Sequence, residues 1–226
     1  MTLFQLTAFF SVGAMMASFL VESSSWWIKA ACPTGKIGLY VSRSNIYLYF
    51  GRFFTLAYSA LIALSIEKGS QANFVSLILA LGFLAAFSTH ILLLLGGKPT
   101  EITVRLLSRT LRLPSGDLQP SAHRKFDRKI VVHTATASFC FSIGITLPLL
   151  LAVMIPQYRM SLTYAGQIVN AVGTILLLFM VDQRLFKSLD EGTLQHDLPS
   201  YSLGRAVALG LASAICFLIF IAVQHN

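Results

Sequence analysis

Charge is what this sequence has least of. Only 12% of its 226 residues are charged, about half the share of an ordinary soluble domain, which excludes a soluble globular fold for the whole chain. Acids are scarcest, nine Asp and Glu in all, and they are dispersed, so no paired-acid metal motif can be assembled from neighbours in sequence. Cysteines number three. Cys32, Cys140 and Cys216 are odd in count and lack metal-ligand spacing, and they read as small buried apolar residues. There is no glycine-rich loop followed by Lys and Ser or Thr, and no histidine constellation of a phosphatase. The sequence thus offers no metal site, no cofactor site and no enzyme signature. The first apolar run, Thr2 to Val21, has no basic residue before it and exceeds what a cleavable signal needs. It reads as a membrane helix.

Apolar residues make up 55% of the chain and fall into runs of about twenty, the signal of spanning helices. The expected fold is all-α, a single polytopic membrane domain over 1–226. Its six spans are expected near 2–22, 37–66, 73–96, 130–155, 162–183 and 203–223, with one long basic loop over 97–129. The first, third and fifth connections carry Lys29, Lys36, Lys98, Arg105, Arg109, Arg112, Arg124, Lys125, Arg128, Lys129, Arg184, Lys187 and Arg205, and the opposite side only Lys68 and Arg159. That asymmetry places the basic loop in the cytoplasm and both termini outside it. The net charge of +8 is then explained by topology and by anionic membrane lipids as partners, without nucleic acid.

In the long loop, Thr100 is expected to cap a short helix running to Leu113. Ile102, Leu106 and Leu113 fall on one side and Arg105, Arg109 and Arg112 on another, the pattern of a helix lying on the membrane surface. A solvated basic loop competes with that reading. Ser115 to Ser121 is expected to be flexible. Trp26 and Trp27 beside Lys29 fit an interfacial aromatic belt. Glu22 is expected to be solvated at the interface, or to pair with a base. His90 is expected to make an interfacial hydrogen bond. Pro148 is expected to kink the fourth span, and Ala206, Gly210 and Ala214 form a small face on the sixth.

The most informative residue is Arg52, central in the apolar stretch from Lys36 to Ile66. A cation at that depth costs about 2.5–3.5 kcal/mol on insertion scales, so it needs a polar cavity, a buried acid or an anionic ligand. Ser42, Asn45, Tyr49 and Arg52 share one helical stripe. Arg43 points elsewhere, near enough to the helix end to snorkel. Gln167, Asn170 and Thr174 form a second stripe on the fifth span, with Asp182 toward its cytoplasmic end. Stripes at matching depth imply a hydrophilic groove between the second and fifth spans. Interhelical hydrogen bonding is the competing explanation.

Two stretches resemble the Amj family of alternative lipid II flippases. One is Pro33, Thr34, Gly35 and Lys36, followed by Ser42, Arg43, Ser44 and Asn45, then Gly51 and Arg52. The other runs from Arg159 to Asp182 and contains Asn170, Gly173 and Thr174. The chain departs from the family pattern at Gly51, Ala171 and Gln183, where a serine, a glycine and a proline are expected. The resemblance implies translocation of an undecaprenyl-pyrophosphate-linked saccharide from the inner to the outer leaflet of the bacterial cytoplasmic membrane, without catalysis. The lipid-linked oligosaccharide would be gathered by Lys36 and carried past Arg52. Asn45, Ser42, Gln167, Asn170, Thr174 and Asp182 would complete its binding path. A homodimer would enlarge the cavity. The alternatives are a membrane assembly protein for envelope polysaccharide synthesis and a polyprenyl-lipid transferase using Glu22 or Asp182.

Overall fold

The computed structural model describes residues 3–33, 35–95, 97–114, 118 and 126–225. Apart from Leu118, the stretch expected to be flexible lies outside these residues, as do Thr34, Arg124 and Lys125. Six helical segments are long and apolar enough to cross a membrane, and the described residues contain no strand. The protein is an all-α polytopic membrane protein. The helices are α1 (Leu3–Ala30), α2 (Ile37–Glu67), α3 (Ala72–Leu95), α4 (Lys98–Thr110), α5 (Arg128–Met154), α6 (Arg159–Leu176), α7 (Gln183–Asp190) and α8 (Leu194–Gln224). A 3₁₀ turn at Pro156–Tyr158 leads into α6, and a π-helical segment, Leu177–Asp182, joins α6 to α7.

The helix ends follow local chemistry. Asp127 caps α5, its Oδ1 accepting from the Lys129 and Ile130 amides at 2.8 and 3.2 Å. Gly69 and Gly192, at φ 86° and 72°, close α2 and α7. In each case the following residue donates back to a carbonyl five positions earlier, a turn that needs the left-handed conformation glycine adopts freely. Thr100 is not a cap. It lies inside α4, which starts at Lys98 with Pro99 in its first turn, a place where the missing N–H costs nothing. The helix ends at Thr110, short of Leu113. Pro148 does not end α5, which continues to Met154.

The spanning helices pack as a curled row in the order α2, α1, α3, α8, α5, α6, with α2 also touching α5. Its centre holds an apolar core of Met15, Phe19, Tyr58, Ile62, Leu79, Phe83, Leu150 and Leu209. The α5–α6 pair approaches at glycines. A Cβ on Gly144 would lie 2.7 Å from the Asn170 nitrogen, and one on Gly173 would lie 2.9 Å from the Phe141 nitrogen. Backbone contact of this kind is how helices gain dispersion energy where lipid removes the hydrophobic drive. On α8 the closest approach is at Gly204, whose Cβ would lie 2.6 Å from the Val131 carbonyl. Of the expected small face, Ala206 is buried and Ala214 is exposed.

A second core closes the end of the bundle that carries the basic connections. Trp26, Trp27, Leu93, Val104, Ile130, Leu185, Leu189, Leu198 and Tyr201 meet there. Trp26 and Trp27 are therefore not a lipid-facing belt. Both are buried, Trp27 Nε1 lies 3.4 Å from the Ser202 hydroxyl, and Trp26 packs edge-on to Phe186.

Candidate functional site

Two polar features stand out, one inside the basic end of the bundle and one on its outer faces. The inner feature begins with Glu22 on α1 and Arg205 on α8. The guanidinium donates to both carboxylate oxygens, Nη1 to Oε1 at 2.8 Å and Nη2 to Oε2. Arg205 is 2% exposed, so it is not one of the interfacial loop cations. It is an interior ion pair that bolts the first helix to the last. Its position fits the forked geometry, which presents two parallel donors to a carboxylate. Among the described residues Arg205 Nε has no acceptor, and the guanidinium lies against the Phe19 and Tyr201 rings at 5.6 and 5.8 Å.

Around this pair the chain places further polar groups. Ser23 bonds His90 Nε2, and His90 Nδ1 lies 2.8 Å from the Ala86 carbonyl. Since a carbonyl only accepts, Nδ1 carries a proton. Ser24 meets the Tyr47 hydroxyl at 3.1 Å, tying α1 to α2. Lys29 is 1% exposed, and its ammonium sits 4.1 Å from the Trp26 ring centroid and 5.4 Å from that of Phe186. This is a cation held by aromatic faces.

Asp182 closes the π-helical segment and interacts electrostatically with Glu22, Lys29 and Arg205. Its Oδ1 is buried without a hydrogen-bond partner among the described residues. The wider π turn shifts the register of everything after it, and such turns recur at functional positions. Asp182 therefore belongs to the inner cluster rather than to the stripe on α6.

Outside the membrane-spanning core, the Asp127 carboxyl is held below its ordinary value. The Ile130 amide is the main cause, with further help from the Arg184 guanidinium at 2.7 Å and the Lys129 amide.

The outer feature consists of the two stripes. Ser42, Asn45, Tyr49 and Arg52 are all exposed along α2, as is Lys36 just before it. Arg52 lies 15 residues from each end of α2, about 22 Å along the axis. Its guanidinium rests 5.6 Å from the Tyr49 ring centroid and makes no ion pair with a described residue. On α6, Gln167 and Thr174 are exposed. Asn170 is half-buried, with its Oδ1 unpartnered and its backbone against Gly144.

The expected groove is not made by packing α2 against α6. The two helices are the opposite ends of the row, α2 lying along α1 and α6 along α5. Arg43 points away from the stripe, toward the end of α4. It donates to the Leu111 and Arg112 carbonyls beyond α4.

Glu22 is thus paired rather than solvated at the interface, and Arg205 lies inside the bundle rather than in a connection. The signal that could have joined them was a lone acid and a lone base, each at the edge of an apolar run, on the first and last helices. Comparison with family models, with curated proteins and with solved structures finds no match.

Proposed function

We propose that the protein is a flippase that moves an undecaprenyl-pyrophosphate-linked saccharide, lipid II or a related glycan, from the inner to the outer leaflet of the bacterial cytoplasmic membrane. In this reading the basic end is cytoplasmic and both termini face outward. The observation that carries it is Arg52, a guanidinium at the middle of a spanning helix, on its outer face, without a carboxylate partner among the described residues. Left to lipid, that charge costs about 2.5–3.5 kcal/mol or more. A pyrophosphate travelling along α2 would offset this cost with a charge-assisted bond. Its polyprenyl tail would stay in the bilayer, so the path need only be open sideways.

The residues supply a sequence of handholds. Lys36 stands at the start of α2, Ser42 and Asn45 follow within three turns, and Arg52 marks the midpoint. Gln167, Asn170 and Thr174 on α6 would offer a saccharide hydrogen bonds on a separate outer face, and Asp182 would report the state of α6 to the basic end. Two discontinuities suit such a helix for motion: the π segment below it and the 3₁₀ turn above. Chemistry on the cargo is not part of the proposal. Glu22, one of the acids a transferase would use, has both oxygens committed to Arg205.

The test is reconstitution of the protein into liposomes with a fluorescent polyprenyl-pyrophosphate saccharide, scored by leaflet accessibility. Wild type should translocate the lipid. Arg52→Gln should reduce the rate at least tenfold with folding intact, and Arg52→Lys should retain part of it. A second reading, a non-transporting assembly partner, draws on the same exposure, since a neighbouring helix would also cover the two stripes. Under it, no purified preparation would move the lipid.

A further inference from the structure

We propose that α4 is a docking element for the anionic lipid headgroups of the membrane surface, clamped so that it bears directly on α2. The helix presents two different sides. Thr100, Val104 and Ser108 are buried against the bundle, Val104 within the core that holds Trp26 and Trp27. Facing away, Ile102 and Leu106 are 56% and 57% exposed, one turn apart. Arg105 and Arg109, also exposed and one turn apart, run beside them, and Arg112 extends the basic row just past the helix.

A row of apolar side chains beside a row of guanidinium groups matches the boundary between acyl chains and phosphates. Ile102 and Leu106 enter the apolar layer while the arginines reach back to the headgroups. None of the three arginines is ion-paired with a described residue. The helix dipole accounts for part of the preference for Arg109 and Arg112 at a C-terminus. It does not account for Arg105 in the middle of α4, nor for the two exposed aliphatics.

The end of α4 adds a second observation. Arg112 sits at φ 51°, and the Leu113 amide donates to the Ser108 carbonyl. This is the same closing turn that Gly69 and Gly192 make elsewhere in the chain. An arginine there accepts a left-handed backbone costing about 1–2 kcal/mol, and so keeps a third cation in the row. The turn is tied to α2 twice, by Arg43 to the Leu111 and Arg112 carbonyls and by the Tyr40 hydroxyl to the Pro114 carbonyl. Engagement of lipid by α4 therefore acts on the helix that carries Arg52. The inference does not depend on what that helix transports.

The experiment uses the full chain in lipid nanodiscs with tryptophan placed by Leu106→Trp, read by quenching from brominated acyl chains. Discs containing phosphatidylglycerol should quench the new tryptophan, and discs of phosphatidylcholine alone should quench it several-fold less. Trp26 and Trp27, buried in the bundle, supply the background measured without the substitution. The difference should shrink as salt is raised, vanish when Arg105, Arg109 and Arg112 are all changed to Gln, and persist when all three are Lys. Emission that stays solvent-like in both lipids would overturn the proposal, pointing to an acidic protein partner. Abolition of the difference by millimolar inorganic phosphate would likewise overturn it, in favour of free phosphate.

Discussion

At the scale of single residues, the decisive contrast is between two arginines. Arg205 is sealed inside the bundle and paired with Glu22, whereas Arg52 is exposed on a spanning helix against the Tyr49 ring, with no ion pair to a described residue. Apolar periodicity located Arg52 correctly and grouped it with Ser42, Asn45 and Tyr49. It could not say which way that stripe faces, because both sides of α2 are nearly equally apolar. Arg205 was misplaced for a different reason. It stands at the third residue of the expected span 203–223 and so counts as a flanking base, although α8 starts eleven residues earlier.

The Glu22–Arg205 pair gives a test at this scale. Glu22→Gln leaves the buried guanidinium without its counter-charge and should cost about 3 kcal/mol, toward the low side because the carboxylate remains partly solvated. Exchanging both for apolar residues, Glu22→Leu with Arg205→Met, should cost less than the single change. Equilibrium unfolding in mild detergent reads both. A double variant weaker than the single one would contradict the interior-bolt reading.

At the scale of elements, the spans were legible because lipid imposes long apolar runs, and each expected core lies inside an observed helix to within a few residues. The extensions were not legible. α1 continues to Ala30 and α8 begins at Leu194, with polar and aromatic residues that read as interface. Those ends meet α7 and α4 in a second core, which draws Trp26, Trp27 and Lys29 inward. The π segment has no sequence signature at all. It arises where α6 must remain close to α5 through Gly166 and Gly173 while turning Asp182 into the bundle.

Gly144→Leu should disrupt that contact, since its side chain would enter the Asn170 backbone, and should lower stability by about 1–3 kcal/mol, seen as a lower Tm in detergent. Thr136→Leu on the same helix serves as a bulk control, at an exposed position.

Asp127 sets the start of α5. Asp127→Ala should cost about 1 kcal/mol. Because the folded carboxyl is held below its unfolded value near 3.8, its contribution is complete above that pH and is lost as pH falls through the lower folded value. Wild type and Asp127→Ala should therefore converge in stability under acid, and a gap independent of pH would contradict the capping role.

At the scale of the whole molecule, the row of helices is curled, and its two ends are the helices with polar outer stripes. Its core provides rigidity at the centre, through α3 and α8, and leaves α2 and α6 each held mainly by one neighbour. That arrangement leaves the two end helices less constrained than the centre, with the ionic cluster joining α1 to α8 at the basic end. The expected groove between the second and fifth spans fails on the same packing, since α2 lies along α1 and α6 along α5. Matching depth along two helices says nothing about which helices pack in between.

The most direct measurement is the rate at which purified protein in sealed liposomes moves a polyprenyl-pyrophosphate saccharide between leaflets, compared across wild type, Arg52→Gln and Arg52→Lys of equal thermal stability. The account predicts rapid movement, a loss of at least tenfold, and partial recovery. Equal rates for wild type and Arg52→Gln, or no movement by wild type, would contradict it.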